Sequence, residues 1–179
     1  QIAEDLMGEG NVEPVKRAKT YPRFPLPLGE EPMPPRGHID GIGSGTNGQA
    51  KGQYSRGFTA FAVIYLQDVD GPNSGNFTVW PKTHTFFEDY FKANGGHEIL
   101  KEGMPRPDLP EEPIMVTGKA GDLVIAHHAM VHGACLNGSA NVRLATISRL
   151  RHVNVEDNGP DAYLDIWREW DGVREVLEE

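Results

Sequence analysis

Apolar residues in this chain fall in short runs that glycine, proline and small polar residues separate. Five runs are apolar and β-prone, as is typical of strands: residues 58–66, 76–80, 114–116, 123–126 and 142–150. Turn-forming residues at 70–75 and 121–122 separate neighbouring runs. Many short strands joined by turns, with few helices, predict a mainly β domain built as a sandwich or a barrel.

Two segments predict helices. Residues 83–93 can form a short helix, with a cap from Thr83 at its start and Gly95-Gly96 at its end. Residues 161–179 predict a terminal helix, because their apolar residues recur at spacings of three and four. We expect this stripe to pack into the core: Ile166, Trp167, Trp170, Val173 and Leu177.

The N-terminal part carries weaker signals. Residues 1–20 are weakly helical at most, and the many prolines of residues 21–48 predict an extended or looped chain. The glycine-rich stretch 41–48 predicts a mobile loop, either a lid over a substrate or an ordinary surface loop. We expect one domain over residues 1–179, with residues 1–35 as an N-terminal arm that is complete or truncated.

Composition narrows the class of protein. The net charge of −9 argues against nucleic acid or an anionic membrane as partner, although a few local cations can still hold a small anionic substrate. The single cysteine, Cys135, excludes an intrachain disulfide and fits a reducing cytoplasm. No apolar run reaches the roughly eighteen residues of a membrane span, and no signal pattern opens the chain. We therefore expect a cytoplasmic protein whose oligomeric state stays open.

Three residues predict a metal site. His38 and Asp40 form a His-x-Asp pair whose side chains would share one face of a strand. His132 lies far downstream, after an apolar run and before Gly133, which permits a close backbone approach. Two histidines and one carboxylate, with the remaining metal positions open, are the ligand set of non-haem Fe(II) oxygenases. Arg143, eleven residues after His132, could hold an anionic co-substrate from the neighbouring strand.

Other assignments compete with these. His127 and His128 are alternative third ligands, or they line the site or lie half-buried in a strand. His38 could also be an exposed loop residue and Asp40 a turn former. Further candidates lie near Arg143 or on an adjacent strand, where they could contact a co-substrate: Thr146, Ser148, Arg149, Thr59 and Tyr65.

Three stretches of this chain resemble the phytanoyl-CoA dioxygenase family: residues 36–40, residues 74–84, and residues 121–134 continuing to Arg143. The resemblance implies a double-stranded β-helix, or jelly-roll, fold. It also implies Fe(II), 2-oxoglutarate and O2, with hydroxylation of a small-molecule substrate and release of succinate and CO2. By that match His38, Asp40 and His132 are the iron ligands, and Arg143 clamps 2-oxoglutarate.

The chain departs from the family pattern at several points. Ala134 stands where the family often has Ser, and Lys82 and Thr83 replace Gly and Ser before His84. Only thirty-seven residues precede His38, fewer than is usual in the family. Halogenating relatives lack the carboxylate ligand, so the presence of Asp40 favours hydroxylation.

Further expectations concern residues outside the predicted metal site and the functions that compete with an oxygenase. We expect His84 to orient a loop by bonding the backbone, and Cys135 to be a small buried side chain. Four residues after the glycine-rich loop either face the substrate or are solvated: Lys51, Gln53, Tyr54 and Arg56. Two functions compete with the oxygenase. One is a cupin-type metal enzyme that does not use 2-oxoglutarate, and the other is a jelly-roll binding module without catalysis.

Overall fold

Two antiparallel sheets form the frame of the protein. A computed structural model describes residues 1–43, 50, 56–101 and 103–178. Its strands are β1 (Ala18–Arg23), β2 (Ala60–Tyr65), β3 (Phe77–Val79), β4 (Ile114–Met115), β5 (Leu123–His127), β6 (His132–Ala134) and β7 (Arg143–Leu150). Its helices are α1 (Ile2–Met7), α2 (Thr83–Ala93), α3 (His97–Leu100), α4 (Val155–Asn158), a 3-10 helix (Gly159–Tyr163) and α5 (Asp171–Glu178).

The strand order defines the architecture. The larger sheet has the order β1-β7-β2-β5 and the smaller one β4-β3-β6, with every pairing antiparallel. An antiparallel bridge between His38 and His132 adds residues 36–40, here called the His38 segment, beside β6. Strands that alternate between two facing sheets make the double-stranded β-helix, which confirms the predicted fold class.

Alternating side chains on β2 explain why this strand is central. Phe61, Val63 and Tyr65 are buried in the core between the sheets, together with Phe77 of β3. Ala60 points to the opposite face of the large sheet, in a separate cluster with Met7 of α1, Leu150 and Trp170. The second face of β2 is covered at Ala60 but not at its far end, where Ile64 is 37% exposed.

A third core lies beside the smaller sheet. Phe87 and Phe91 of α2 are fully buried against Ile39, Val131 and Tyr163. Ile39 lies between His38 and Asp40, so its burial on this side directs those two side chains to the other side. The hydrophobic packing of α2 thus orients the His-x-Asp pair.

The five predicted strands are confirmed within two residues at each end, but two local predictions are wrong and strand β1 was not predicted. The terminal helix over residues 161–179 is instead the end of the 3-10 helix, a run of turns, and α5. Buried Glu169, bonded to Arg56, holds the chain against the sheet before α5, so a continuous helix does not form. Ile166 and Trp170 are buried as expected, whereas Leu177 is 63% exposed.

The other differences concern β1, which was not predicted as a strand, and the cap of α2, a helix whose bounds are as predicted. Residues 18–23 form an edge strand, where Pro22 is tolerated because one side of the strand lacks a partner. Lys82, not Thr83, precedes α2, and it has a left-handed φ of 60°. The Thr83 hydroxyl donates a 2.7 Å hydrogen bond back to the Trp80 carbonyl instead of capping the helix.

None of the helices in the described ranges has the length and apolar character needed to cross a bilayer.

Candidate metal centre

The backbone places His38 and His132 directly opposite each other. The amide of each donates a 3.0 Å hydrogen bond to the carbonyl of the other. Such a reciprocally bonded antiparallel pair projects both side chains to the same face of the sheet. The two imidazole rings consequently lie with their centroids 4.7 Å apart.

Asp40 joins this pair through its position two residues after His38. Its Oδ1 lies 3.0 Å from His38 Nε2, and Arg149 Nη2 donates a 2.6 Å hydrogen bond to Oδ2. The Tyr163 hydroxyl donates to the Asp40 carbonyl at 2.8 Å and anchors the backbone. Ligand atoms of His38, Asp40 and His132 all lie within 4.8 Å of one another. Among the residues that the structure describes, no other His, Cys, Asp or Glu group meets this spacing.

Two glycines allow the His38 segment to approach β6. A Cβ on Gly133 would collide with the Arg36 carbonyl, and a Cβ on Gly37 would collide with Val131 and Trp80. The close approach that Gly133 was expected to permit is therefore present, and it is made by the segment that carries His38 and Asp40.

The chemistry of the three donors fits a divalent metal. His132 Nδ1 lies 2.9 Å from the Met130 carbonyl, so Nδ1 carries the proton and Nε2 keeps a free lone pair. Burial, followed by the charge of His38, lowers the pKa of His132 to about 4. Burial raises the pKa of Asp40, but the His38 hydrogen bond and nearby positive charges outweigh it and bring that pKa to about 2. At neutral pH His132 is therefore neutral and Asp40 is ionised, as metal ligands must be.

Arg143 begins β7 and is 4% exposed. Its Nε donates to the Gly75 carbonyl at 2.5 Å, and its Nη1 donates to the Tyr21 carbonyl at 3.1 Å. Burial, its largest influence, lowers the pKa of this guanidinium from its ordinary value. No carboxylate in the described ranges pairs with Arg143, so its charge remains available to a ligand.

His38, Asp40, His132 and Arg143 line one pocket of about 220 Å³, here called the metal pocket. Apolar side chains form much of its wall: Phe61, Val63, Phe77, Ala134 and Ile147. Tyr21, Arg23 and Arg149 complete the polar part of the lining. The three proposed ligands and the proposed clamp thus face a shared space that can hold a small organic anion beside a metal ion.

The alternative third ligands lie elsewhere. His127 ends β5, its Nε2 lies 2.8 Å from the Ile166 carbonyl, and its Nδ1 accepts from the Ala129 amide. His128 follows in the turn, with Nδ1 at 3.2 Å from the Thr59 carbonyl. Burial lowers the pKa of both rings, that of His127 to about 3. The straight strand that would have placed His128 and His132 on one face does not exist, because the chain turns from the larger sheet to the smaller one between them.

Several residues considered near Arg143 lie away from the metal pocket. Thr146 and Ser148 alternate with Arg143 along β7 and so project from its opposite face. The Thr59 hydroxyl donates to buried Glu169, and the Tyr65 hydroxyl donates to the Val116 carbonyl. Arg149 alone of these alternates lines the metal pocket. Its contact with Asp40 could not be read from the sequence, because it depends on how the two sheets face each other.

The other residues considered from the sequence have different outcomes in the structure. Arg56 is neither solvated nor directed at a substrate, since both of its terminal nitrogens donate to buried Glu169. His84 was expected to bond the backbone, but its Nδ1 is buried without a hydrogen-bond partner in the described parts of the chain. Its ring instead packs near two aromatic rings, with centroids 5.5 Å from those of His127 and Trp167. Burial of Cys135 is confirmed. Residues 44–49 of the glycine-rich loop, and Lys51, Gln53 and Tyr54, lie outside the described residues.

No family model and no curated protein matches the chain, but solved structures do. SnoK, a non-haem α-ketoglutarate-dependent carbocyclase from nogalamycin biosynthesis, is 25% identical with a TM-score of 0.50, covering 79% of this chain and 50% of its own. EctD from S. alaskensis, solved with 2-oxoglutarate and 5-hydroxyectoine, is 13% identical with a TM-score of 0.51, covering 86% and 49%. HygX from Streptomyces hygroscopicus, solved with iron, is 17% identical with a TM-score of 0.50, covering 85% and 63%.

These neighbours share the double-stranded β-helix of this chain. The likeness to EctD and HygX, at 13% and 17% identity, concerns the fold alone. This chain spans about half the length of SnoK and of EctD.

Proposed function

We propose that this protein is a non-haem Fe(II)- and 2-oxoglutarate-dependent dioxygenase that hydroxylates a small molecule. The observation that carries the proposal is the convergence of His38, Asp40 and His132 in one pocket with buried Arg143, which has no carboxylate partner among the described residues. Two imidazoles and a carboxylate suit Fe(II) and leave its other positions open. The likeness to SnoK supports the choice, since SnoK is a non-haem α-ketoglutarate-dependent carbocyclase.

Each protein group has a defined task in this proposal. His38, Asp40 and His132 hold the metal, while Arg149 holds the second oxygen of Asp40 and the Met130 carbonyl fixes the ring of His132. Arg143 pairs with the distal carboxylate of 2-oxoglutarate. Fe(II) held by the three ligands would supply the redox chemistry by which one O2 converts 2-oxoglutarate to succinate and CO2 and hydroxylates the substrate. Phe61, Val63 and Phe77 form an apolar wall of the pocket beside these groups.

We further propose kinship with the phytanoyl-CoA dioxygenase family. The φ of 60° at Lys82 supports it, because the family has glycine there and glycine adopts left-handed angles most readily. Asp40 favours hydroxylation over halogenation, since the carboxylate occupies the position that a halide would need.

Anaerobic addition of Fe(II) and 2-oxoglutarate to the protein tests the proposal. We expect a weak visible charge-transfer band, and succinate release once O2 is admitted. Asp40→Ala should lose the band and weaken Fe(II) binding by about 100-fold or more, because a ligand loss exceeds the 10–100-fold typical of supporting residues. Asp68→Ala, which removes an exposed carboxylate paired with Lys119, is the matched control. A wild-type protein with neither band nor succinate, or an Asp40→Ala protein with wild-type affinity for Fe(II), contradicts the proposal.

A further inference from the structure

A second, larger concavity adjoins the metal pocket. It has a volume of about 570 Å³ and is here called the basic cleft. Tyr21, Ile147 and Arg149 line both the basic cleft and the metal pocket. A molecule bound in the basic cleft can therefore extend past these three side chains toward His38, Asp40 and His132.

Strand register explains how the two concavities connect. On β1 and β7, Lys19 pairs with Ile147 and Arg23 pairs with Arg143. Residues two apart on a strand share a face, so Lys19, Tyr21 and Arg23 project to the same side as Arg143, Ile147 and Arg149. This shared face thus carries Lys19 and Arg23 on β1 and Arg143 and Arg149 on β7, and it runs from the metal pocket into the basic cleft.

The charges of the basic cleft are unusual for this chain. Five cations line it: Lys16, Arg17, Lys19, Arg149 and Arg151. Among the described residues that line it, Glu13 alone is acidic, and it is already paired with Arg151 at 3.0 Å. Lys16, Arg17 and Lys19 are exposed and form no ion pair in the described ranges.

Cations elsewhere are mostly neutralised. Ion pairs with Asp or Glu occupy Lys82, Lys92, Lys101, Lys119, Arg168 and Arg174. The whole chain carries a net charge of −9, so a cleft in which Lys16, Arg17 and Lys19 form no ion pair with described residues is not a consequence of general basicity. Low-dielectric walls and like charges facing one cavity concentrate a positive potential that attracts small anions.

We propose that the basic cleft binds an anionic group of the substrate, a phosphate, sulfate or carboxylate, and that this anchors the substrate for reaction at the metal pocket. The inference rests on the proposed oxygenase function and specifies its substrate class. Lys16, Arg17 and Lys19 hold the anionic end. Tyr21 and Ile147 guide the uncharged part of the molecule to the metal pocket. Arg149 stands at the junction, where its contact with Asp40 links the two regions.

Calorimetric titration of the metal-free full chain with pyrophosphate and with citrate tests the site itself. A triple variant, Lys16→Gln with Arg17→Gln and Lys19→Gln, should weaken binding of the preferred probe at least tenfold. The control triple, Lys92→Gln with Lys101→Gln and Arg106→Gln, removes the same charge elsewhere and should stay within twofold of wild type. Stronger binding of pyrophosphate indicates a phosphate or sulfate ester, and stronger binding of citrate a carboxylate. Equal binding by wild type and the first triple overturns the inference.

Turnover tests the link to the substrate. In a screen of metabolites for succinate release, stimulating compounds should carry an anionic group, and the first triple variant should raise their KM at least tenfold while kcat stays within threefold. An uncharged compound that is the best substrate, with a KM unchanged in the triple variant, overturns the inference. The Fe(II)–2-oxoglutarate band should persist in both triples. A missing band in wild type therefore contradicts the oxygenase proposal. A normal band together with equal anion binding by wild type and the first triple variant contradicts only the cleft proposal.

Discussion

Arg143 is a buried cation that lacks a carboxylate partner in the described parts of the chain. A guanidinium offers five N–H donors, and two backbone carbonyls use only its Nε and Nη1. Burying a charge without a counter-charge is costly, and burial indeed lowers the pKa of this group. A carboxylate ligand in the metal pocket would remove that cost, so the same feature that is unfavourable in the free protein favours binding of 2-oxoglutarate.

Replacement of Arg143 is the corresponding test. Arg143→Ala should weaken 2-oxoglutarate binding about 100-fold, about 2.7 kcal/mol, as expected for a desolvated charge pair that loses one member. Arg143→Lys should recover part of the affinity, because an ammonium keeps the charge but not the planar fork. The measurement is the 2-oxoglutarate dependence of the anaerobic visible band, with circular dichroism to verify folding. Arg106→Ala serves as the control. Unchanged affinity in Arg143→Ala would favour the cupin-type enzyme that does not use 2-oxoglutarate.

At the scale of elements, the pairing of the His38 segment with β6 creates the candidate site. Neither partner is a long strand, and the contact consists of one reciprocal backbone pair between His38 and His132. Gly133 permits it, because any side chain there would meet the Arg36 carbonyl. The geometry of the three donors therefore depends on a position that donates no ligand itself.

Gly133→Ala should separate the His38 segment from β6. We expect the free energy of unfolding to fall by about 1–3 kcal/mol, the usual range for overpacking, and Fe(II) affinity to fall at least tenfold. Gly71→Ala is the matched control, since no atom lies within 4 Å of the added methyl group. Urea unfolding and titration with Fe(II) report the two quantities separately. A Gly133→Ala protein that binds Fe(II) as tightly as Gly71→Ala would show that this close approach does not position the ligands.

Sequence patterns predicted the elements that local forces determine. The apolar runs of β2, β3 and β7 were visible because their periodicity and turn residues act over a few positions. The edge strand β1 was missed, since Pro22 signals a loop unless the chain is known to lie at a sheet edge. The His-x-Asp spacing indicated a shared face, but the Arg149–Asp40 contact and the position of Lys19 and Arg23 beside β7 depend on strand order. Such pairings join residues more than a hundred positions apart and leave no local signal.

At the scale of the whole molecule, a buried ion pair joins two distant segments. Arg56 lies shortly before β2, and Glu169 lies shortly before α5. Arg56 donates to both carboxylate oxygens of Glu169, at 2.8 and 2.5 Å, and Thr59 and Asn158 donate to the same carboxylate. Both members of the pair are fully buried. The network therefore fixes the segment before α5 against the larger sheet, where Trp170 completes the outer core.

This network predicts how stability depends on pH. Burial raises the pKa of Glu169, but its bonds and the charge of Arg56 outweigh burial and bring that pKa below its ordinary 4.5. The ionised pair therefore stabilises the fold fully above pH 4.5, and this contribution is lost as the pH falls toward the lowered pKa. At pH 7, Glu169→Gln should lower the free energy of unfolding by about 3–5 kcal/mol, because Arg56 is left buried without its counter-charge. Glu156→Gln, at an exposed pair with Arg151, should change it by less than about 1 kcal/mol.

Urea unfolding of wild type and both variants at pH 7, 5 and 4 measures these effects. Wild type and Glu156→Gln should lose stability between the two lower pH values more steeply than Glu169→Gln, which no longer has that carboxylate to protonate. The double change Arg56→Met with Glu169→Gln removes the uncompensated charge and should recover part of the loss at pH 7. Equal stability of Glu169→Gln and wild type at pH 7, or equal acid dependence of the two, would show that the C-terminal segment is held by its apolar contacts alone.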